Sequence, residues 1–132
     1  MPFVFSTRIR FVDTDASGRI HFSSMLRYFE AAEQEFLRSI GQHFADVHAT
    51  GMGFPRVHVE CTYTSAVGYE DLMNIEVRLE RVGNSSYTLA YAASVSDRAV
   101  AHGTITVVCI DLSTQKSRAL PEDMAKRLRA HL

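Results

Sequence analysis

The sequence predicts an α+β domain in which an antiparallel sheet of about five strands packs against one long helix. Three observations predict it: runs in which apolar and polar residues alternate, one stretch whose apolar residues share a helical face, and short connections joining the last four alternating runs. At 132 residues the chain suits a single domain, 1–132, with one core.

In chain order, Phe5, Thr7, Ile9 and Phe11 alternate with Ser6, Arg8 and Arg10, which predicts a half-buried strand over Phe3–Val12. Met25, Tyr28, Phe29, Ala32, Phe36 and Ile40 then fall on one face at helical spacing, and Gly41 supplies a stop signal. The segment from Gln42 to Phe54, with glycines at 51 and 53, reads as a short helix running into a loop. Val57, Val59, Cys61 and Tyr63 alternate with His58, Glu60, Thr62 and Thr64 in a second strand. Met73 to Glu80 forms a third, and Gly83-Asn84 marks a turn into a fourth from Tyr87 to Val95. Ser96-Asp97-Arg98 turns into the last strand, from Val100 to Asp111. Pro121, followed by Glu122 and Asp123, opens a short final helix. One helix covers only one face of such a sheet, so the other face is solvated or meets a second subunit.

Composition narrows the function. With a net charge of −1 and no basic block, nothing predicts a nucleic-acid footprint. No apolar run approaches the roughly 20 residues that span a bilayer, and the N-terminus lacks the pattern of a signal peptide. Cys61 and Cys109 lie in apolar runs without metal-like or redox-like spacing and read as reduced core residues, making the cytoplasm the expected compartment. The histidines show no metal spacing either.

The chemistry concentrates in Asp13–Ile20, DTDASGRI, between the first strand and the long helix. Asp13, Asp15, Ser17, Gly18 and Ile20 match five positions of a helix-loop-helix calcium site, but Ser24 stands where the bidentate glutamate is needed and a strand, not a helix, precedes the loop. A plain capped turn explains Gly18, Ser23 and Ser24 but leaves two carboxylates ahead of a helix N-terminus without a reason. A carboxylate facing that N-terminus is favoured as the anion, and unpaired N–H groups there can stabilise an oxyanion.

The run FVDTDASGRIHFSSMLRYFEAAEQEFL resembles the signature of the 4-hydroxybenzoyl-CoA thioesterase-like acyl-CoA thioesterases, a branch of the hotdog-fold superfamily. Asp13, Asp15, Gly18, Ile20, Phe22 and Glu30 occupy the pattern's positions. Tyr69-Glu70-Asp71-Leu72, the hairpin from Gly83 to Tyr87 and Leu120-Pro121 extend the similarity over nearly the whole chain. The resemblance implies hydrolysis of an acyl-CoA thioester without a cofactor or metal. It makes Asp15 the nucleophile or general base, the backbone N–H of Phe22 an oxyanion donor, and Gly18 the residue that permits close approach. Asp13 is read as holding the loop, and Ser23 and Ser24 as helix caps. Glu30 is assigned to a polar network or a second acid, and His21 to structure or substrate lining. His58 and Tyr63 belong to a strand that can line an acyl pocket.

Family members that grip the CoA phosphates place a basic cluster at the central hairpin, where this chain has only Arg81 with Ser85 and Ser86. Nucleotide binding is therefore assigned to Arg81, Ser85 and Ser86, with Arg56, Lys116 and Arg118 as alternatives; an acyl carrier protein is the alternative carrier. A site between two subunits of a homodimer or homotetramer is expected. A hotdog hydratase or dehydratase normally shows a catalytic histidine paired with an acid in its own signature, absent here. A binding module that senses thioesters is the non-enzymatic alternative.

Overall fold

In the computed structural model, which describes residues 2–43 and 50–132, the elements run in the predicted order. Strand β1 (Phe3–Arg8) leads through a 3-10 turn (Phe11–Asp13) to helix α1 (Ser24–Ser39). Then come β2 (Met52–Gly53), β3 (Arg56–Tyr63), β4 (Leu72–Val82), β5 (Ser86–Val95), β6 (Arg98–Val108), β7 (Ile110–Asp111) and helix α2 (Glu122–Arg129). Five strands form one antiparallel sheet in the order β1-β4-β5-β6-β3, and β2 pairs with β7 in a two-stranded patch. The predicted short helix falls largely on residues 44–49, outside those described.

The apolar face of α1 lies on the sheet as its spacing predicts, with Met25, Phe29 and Ala32 fully buried. Phe29 stacks on Tyr91 of β5, the ring centroids 4.6 Å apart and the planes 5° from parallel. Fully burying a side chain of this size contributes about 1.5–3 kcal/mol, so α1 is held to the sheet mainly by these few residues. The inward positions of β4 and β5, Met73, Ile75, Val77, Leu89 and Tyr91 among them, complete the core. α2 adds Met124 and Leu128.

Three expectations change. β1 stops at Arg8 because the N–H of Ile9 turns to the Asp71 carbonyl, and Phe11, predicted to face inward, is exposed in the 3-10 turn. The last long strand breaks at Cys109, and Ile110–Asp111 leaves the main sheet for β2. β3 forms as a strand, but the predicted alternation does not appear in its burial: Val57 is 59% and Val59 43% exposed. β3 is an outer strand of the sheet, and neither the helix nor another strand covers its apolar side. No helix among the described residues is long and apolar enough to cross a membrane.

Candidate active site

The loop from Asp13 to His21 is a closed structure rather than a plain connection. The His21 N–H donates to the Asp13 carbonyl at 2.8 Å, and inside that span the Asp15 N–H donates to Arg19 at 2.8 Å and the Gly18 N–H to Asp15 at 3.0 Å. Gly18 sits at φ +81°, where a side chain would be strained although there is room for one. Gly68 serves the opposite need: a Cβ there would lie 2.8 Å from the Gly18 carbonyl oxygen, so only glycine lets the two loops meet. The Ile20 N–H joins them with a 2.8 Å bond to Val67.

The two carboxylates of the loop point to different environments. Asp13 is buried, accepting a 2.6 Å bond from the Tyr28 hydroxyl and a close one from Arg27. Tyr28 in turn accepts the Arg10 N–H at 3.0 Å, so Asp13 clamps the end of β1 to the first turns of α1. Burial would raise the Asp13 pKa, but Tyr28 and Arg27 outweigh it and hold the carboxyl below its ordinary value. Asp15 is exposed, and its Oδ1 accepts the Ser17 hydroxyl at 2.5 Å and the Ser17 N–H at 2.8 Å. These Ser17 contacts, with a smaller pull from His21, keep the Asp15 carboxyl below its ordinary value. The physical cause is this turn, where the sequence pointed to the helix end. With Asp13 committed to Arg27 and Tyr28, the pair does not converge as calcium ligands do.

Asp15, Arg19, Ile20 and Phe22 form one wall of a cleft of about 400 Å³, and residues 63–67 form the other. Arg98 braces that second wall through the Ser65 hydroxyl at 2.8 Å and the Ala66 carbonyl at 2.5 Å. The N–H groups of Ile20, His21, Ser23 and Ser24 all donate within the chain. The Phe22 N–H between them has no acceptor among the described residues. Asp15, with its anionic carboxylate, and Phe22, with its free backbone N–H, thus line one cleft, and a carboxylate and a backbone donor are the two kinds of group needed to attack a carbonyl and to stabilise the resulting oxyanion.

Tyr63 lines this cleft, and His21 lies beside it without being part of its lining. The His21 ring stacks on Phe22 at 4.5 Å, and its Nδ1 lies 2.8 Å from the Ser23 hydroxyl. Ser23 therefore takes the N-cap position without a side-chain cap, and Ser24 accepts Arg27 at 3.0 Å instead of capping. The structure does not bring the other candidates to this cleft. His58 pairs with Glu60 at 3.3 Å on β3, and Arg81, Ser85 and Ser86 lie at the β4–β5 hairpin. Arg56 is committed to the Glu33 carboxylate and the Phe54 carbonyl, which removes it as a free phosphate ligand. A larger hollow of about 730 Å³ lies on the sheet, lined by Glu60, Arg78, Glu80, Ala92 and His102 among others, and none of the residues of the Asp13–Ile20 loop borders it. Glu30 is exposed on α1.

Glu33 is the residue the sequence reading passed over. It is 1% exposed, paired with Arg56 and accepting the Tyr87 hydroxyl at 3.2 Å. Burial raises its pKa, against the pull of Arg56 and Tyr87. The signal was available: an acid at 33 falls on the apolar helical face between Phe29 and Phe36.

A carboxylate loop between the first strand and the long helix of a five-stranded antiparallel sheet is the arrangement of a hotdog thioester hydrolase, the class the loop motif implied. The chain belongs to the thioesterase-like superfamily, whose family model matches residues 9–128. It is 35% identical over 101 residues to a putative esterase of Aquifex aeolicus (strain VF5), covering 76% of this chain and 79% of that one. It is 30% identical over 131 residues to the 1,4-dihydroxy-2-naphthoyl-CoA hydrolase of Synechococcus sp. (strain CC9605), covering 95% and 88%. The crystal structure of a hypothetical protein from Aquifex aeolicus superposes with a TM-score of 0.90 at 29% identity, over 96% of this chain and 99% of that one.

Proposed function

We propose that the protein hydrolyses an acyl-CoA thioester, of the aromatic acyl class, to the free acid and the CoA thiol, using Asp15. The observation that carries this reading is that Asp15 and Phe22, the residue whose N–H is unpaired, line one cleft. The aromatic class is supported by the hydrolase relative that spans nearly the whole chain. In the reaction an oxygen attacks the thioester carbonyl carbon, negative charge develops on the carbonyl oxygen, and the C–S bond breaks to release thiolate. The attacking oxygen is that of Asp15 or of a water Asp15 deprotonates. In either case one water is consumed and its protons end on the carboxyl group and the thiol. The Phe22 N–H serves the oxyanion, and Gly18 keeps the loop in the conformation that sets Asp15.

Two copies of the chain complete the site. Support comes from β3, whose exposed Val57 and Val59 and outer position suit pairing with a second sheet. Arg81, Ser85 and Ser86, remote from the cleft within one chain, then contact the CoA nucleotide from the second copy.

The test is thiol release from aromatic and aliphatic acyl-CoAs and from an acyl carrier protein thioester, with Asp15→Asn alongside. Hydrolysis of an aromatic acyl-CoA that falls by about 10²-fold or more in Asp15→Asn is the expected result. Binding without thiol release from any thioester would overturn the reading.

A further inference from the structure

The Phe22 N–H can serve an oxyanion only if its peptide is held in one orientation before the substrate arrives. Two peptide planes meet at Phe22, and each is pinned by a hydrogen bond. The plane carrying the Phe22 N–H also carries the His21 carbonyl, which accepts the Ser24 N–H at 2.9 Å. The next plane carries the Ser23 N–H, which donates to His21 Nδ1 at 3.2 Å, and the Phe22 carbonyl, which accepts the Tyr63 hydroxyl. The first two bonds are local to the turn. The Tyr63 bond reaches it from the end of β3, 41 residues away in sequence.

The Phe22 side chain gives little independent anchorage. The residue is 72% exposed, and its ring contact is with the neighbouring His21. The end of β3 is a firmer reference, since Tyr63 pairs with Ala101 of β6 and the Thr64 N–H donates to Val100 at 2.9 Å. We propose that Tyr63 is a positioning residue of the thioesterase site, its hydroxyl gripping the Phe22 carbonyl and so aiming the free Phe22 N–H at the thioester oxygen. The inference rests on the reading above and assigns Tyr63 a role in rate, distinct from lining an acyl pocket. Burial, with a further contribution from Cys61, pushes the Tyr63 hydroxyl up to about 12, so it remains a donor throughout the neutral range.

The experiment compares wild type, Asp15→Asn, Tyr63→Phe and a protein carrying a difluorotyrosine at 63, measuring kcat, KM and thermal midpoint on whichever acyl-CoA wild type hydrolyses. Tyr63→Phe is expected to lower kcat by about 10- to 100-fold with KM within a few-fold of wild type, as a misaimed donor would. The difluorotyrosine, isosteric and more acidic, should retain kcat at low pH and lose it as the phenol ionises, because a phenolate cannot donate. An unchanged kcat in Tyr63→Phe, or a raised KM with kcat intact, overturns the positioning role while leaving the thioesterase reading in place. If Tyr63→Phe does not fold, the fluorinated protein decides alone: a pH profile identical to wild type rejects the proposal. Absence of thiol release from wild type removes both readings.

Discussion

Asp13 and Asp15 stand two positions apart, yet their surroundings assign them opposite tasks. Asp15 is exposed and held as an anion by Ser17, so its titration should appear in activity. Because its pKa is lowered and the proposed mechanism uses the anion, kcat/KM should show no acid limb from Asp15 above the usual 3.8, falling only below it. A pH–rate profile checks this, and Ser17→Ala should move that limb upward. Asp13 titration should appear in stability instead. Asp13→Ala leaves the Tyr28 hydroxyl without its acceptor and should cost about 1–3 kcal/mol in urea unfolding. Its folded-state pKa is depressed, so its stabilisation is complete above 3.8 and disappears as pH falls through the lower folded value. The tandem carboxylates were visible in the sequence. Their division of labour was not, because it depends on Tyr28 and Arg27, 15 and 14 residues further on.

Between elements, the informative joint is α1 against β3. Glu33 of the helix and Arg56 of the strand form an ion pair whose carboxylate is almost wholly buried. Removing one partner of such a pair strands the other charge, so Arg56→Ala should cost about 3–5 kcal/mol. The sign with pH is the reverse of Asp13. Burial already raises the Glu33 pKa, and losing Arg56 raises it further, so Glu33 binds its proton more tightly folded than unfolded. Stability in Arg56→Ala is therefore best at low pH and declines as pH rises through the folded Glu33 value. Urea midpoints at about pH 5 and about pH 8 should show a larger deficit at the higher pH. Helix periodicity located α1 almost to the residue, since its buried face repeats every 3.6 residues. The same apolar pattern hid Glu33, because periodicity reports which side faces inward and not which polar group finds a partner there.

For the whole molecule, the open question in a single chain is the outer strand β3. A strand with unpaired backbone groups and exposed valines is a template for pairing with another chain. Size-exclusion chromatography with light scattering should find at least a dimer. Val59→Lys should shift that species towards monomer and lower activity with it, since the proposed site takes its CoA nucleotide contacts, Arg81, Ser85 and Ser86, from the second copy that a monomer lacks. A monomeric wild type with full activity would show one chain to be sufficient.

The sequence by itself determined the class of fold, the order of its elements and the acidic loop on which the proposed chemistry rests. Those features are local: alternation and helical spacing record which side of each segment meets the core, and DTDASGRI is contiguous. Only the tertiary structure decided that Asp13 braces the loop while Asp15 faces the cleft, that Arg56 is committed to Glu33, and that Tyr63 reaches Phe22 from across the fold. The reason is sequence separation. Each of those assignments depends on residues brought together by folding, and nothing in the local pattern of one partner encodes the position of the other.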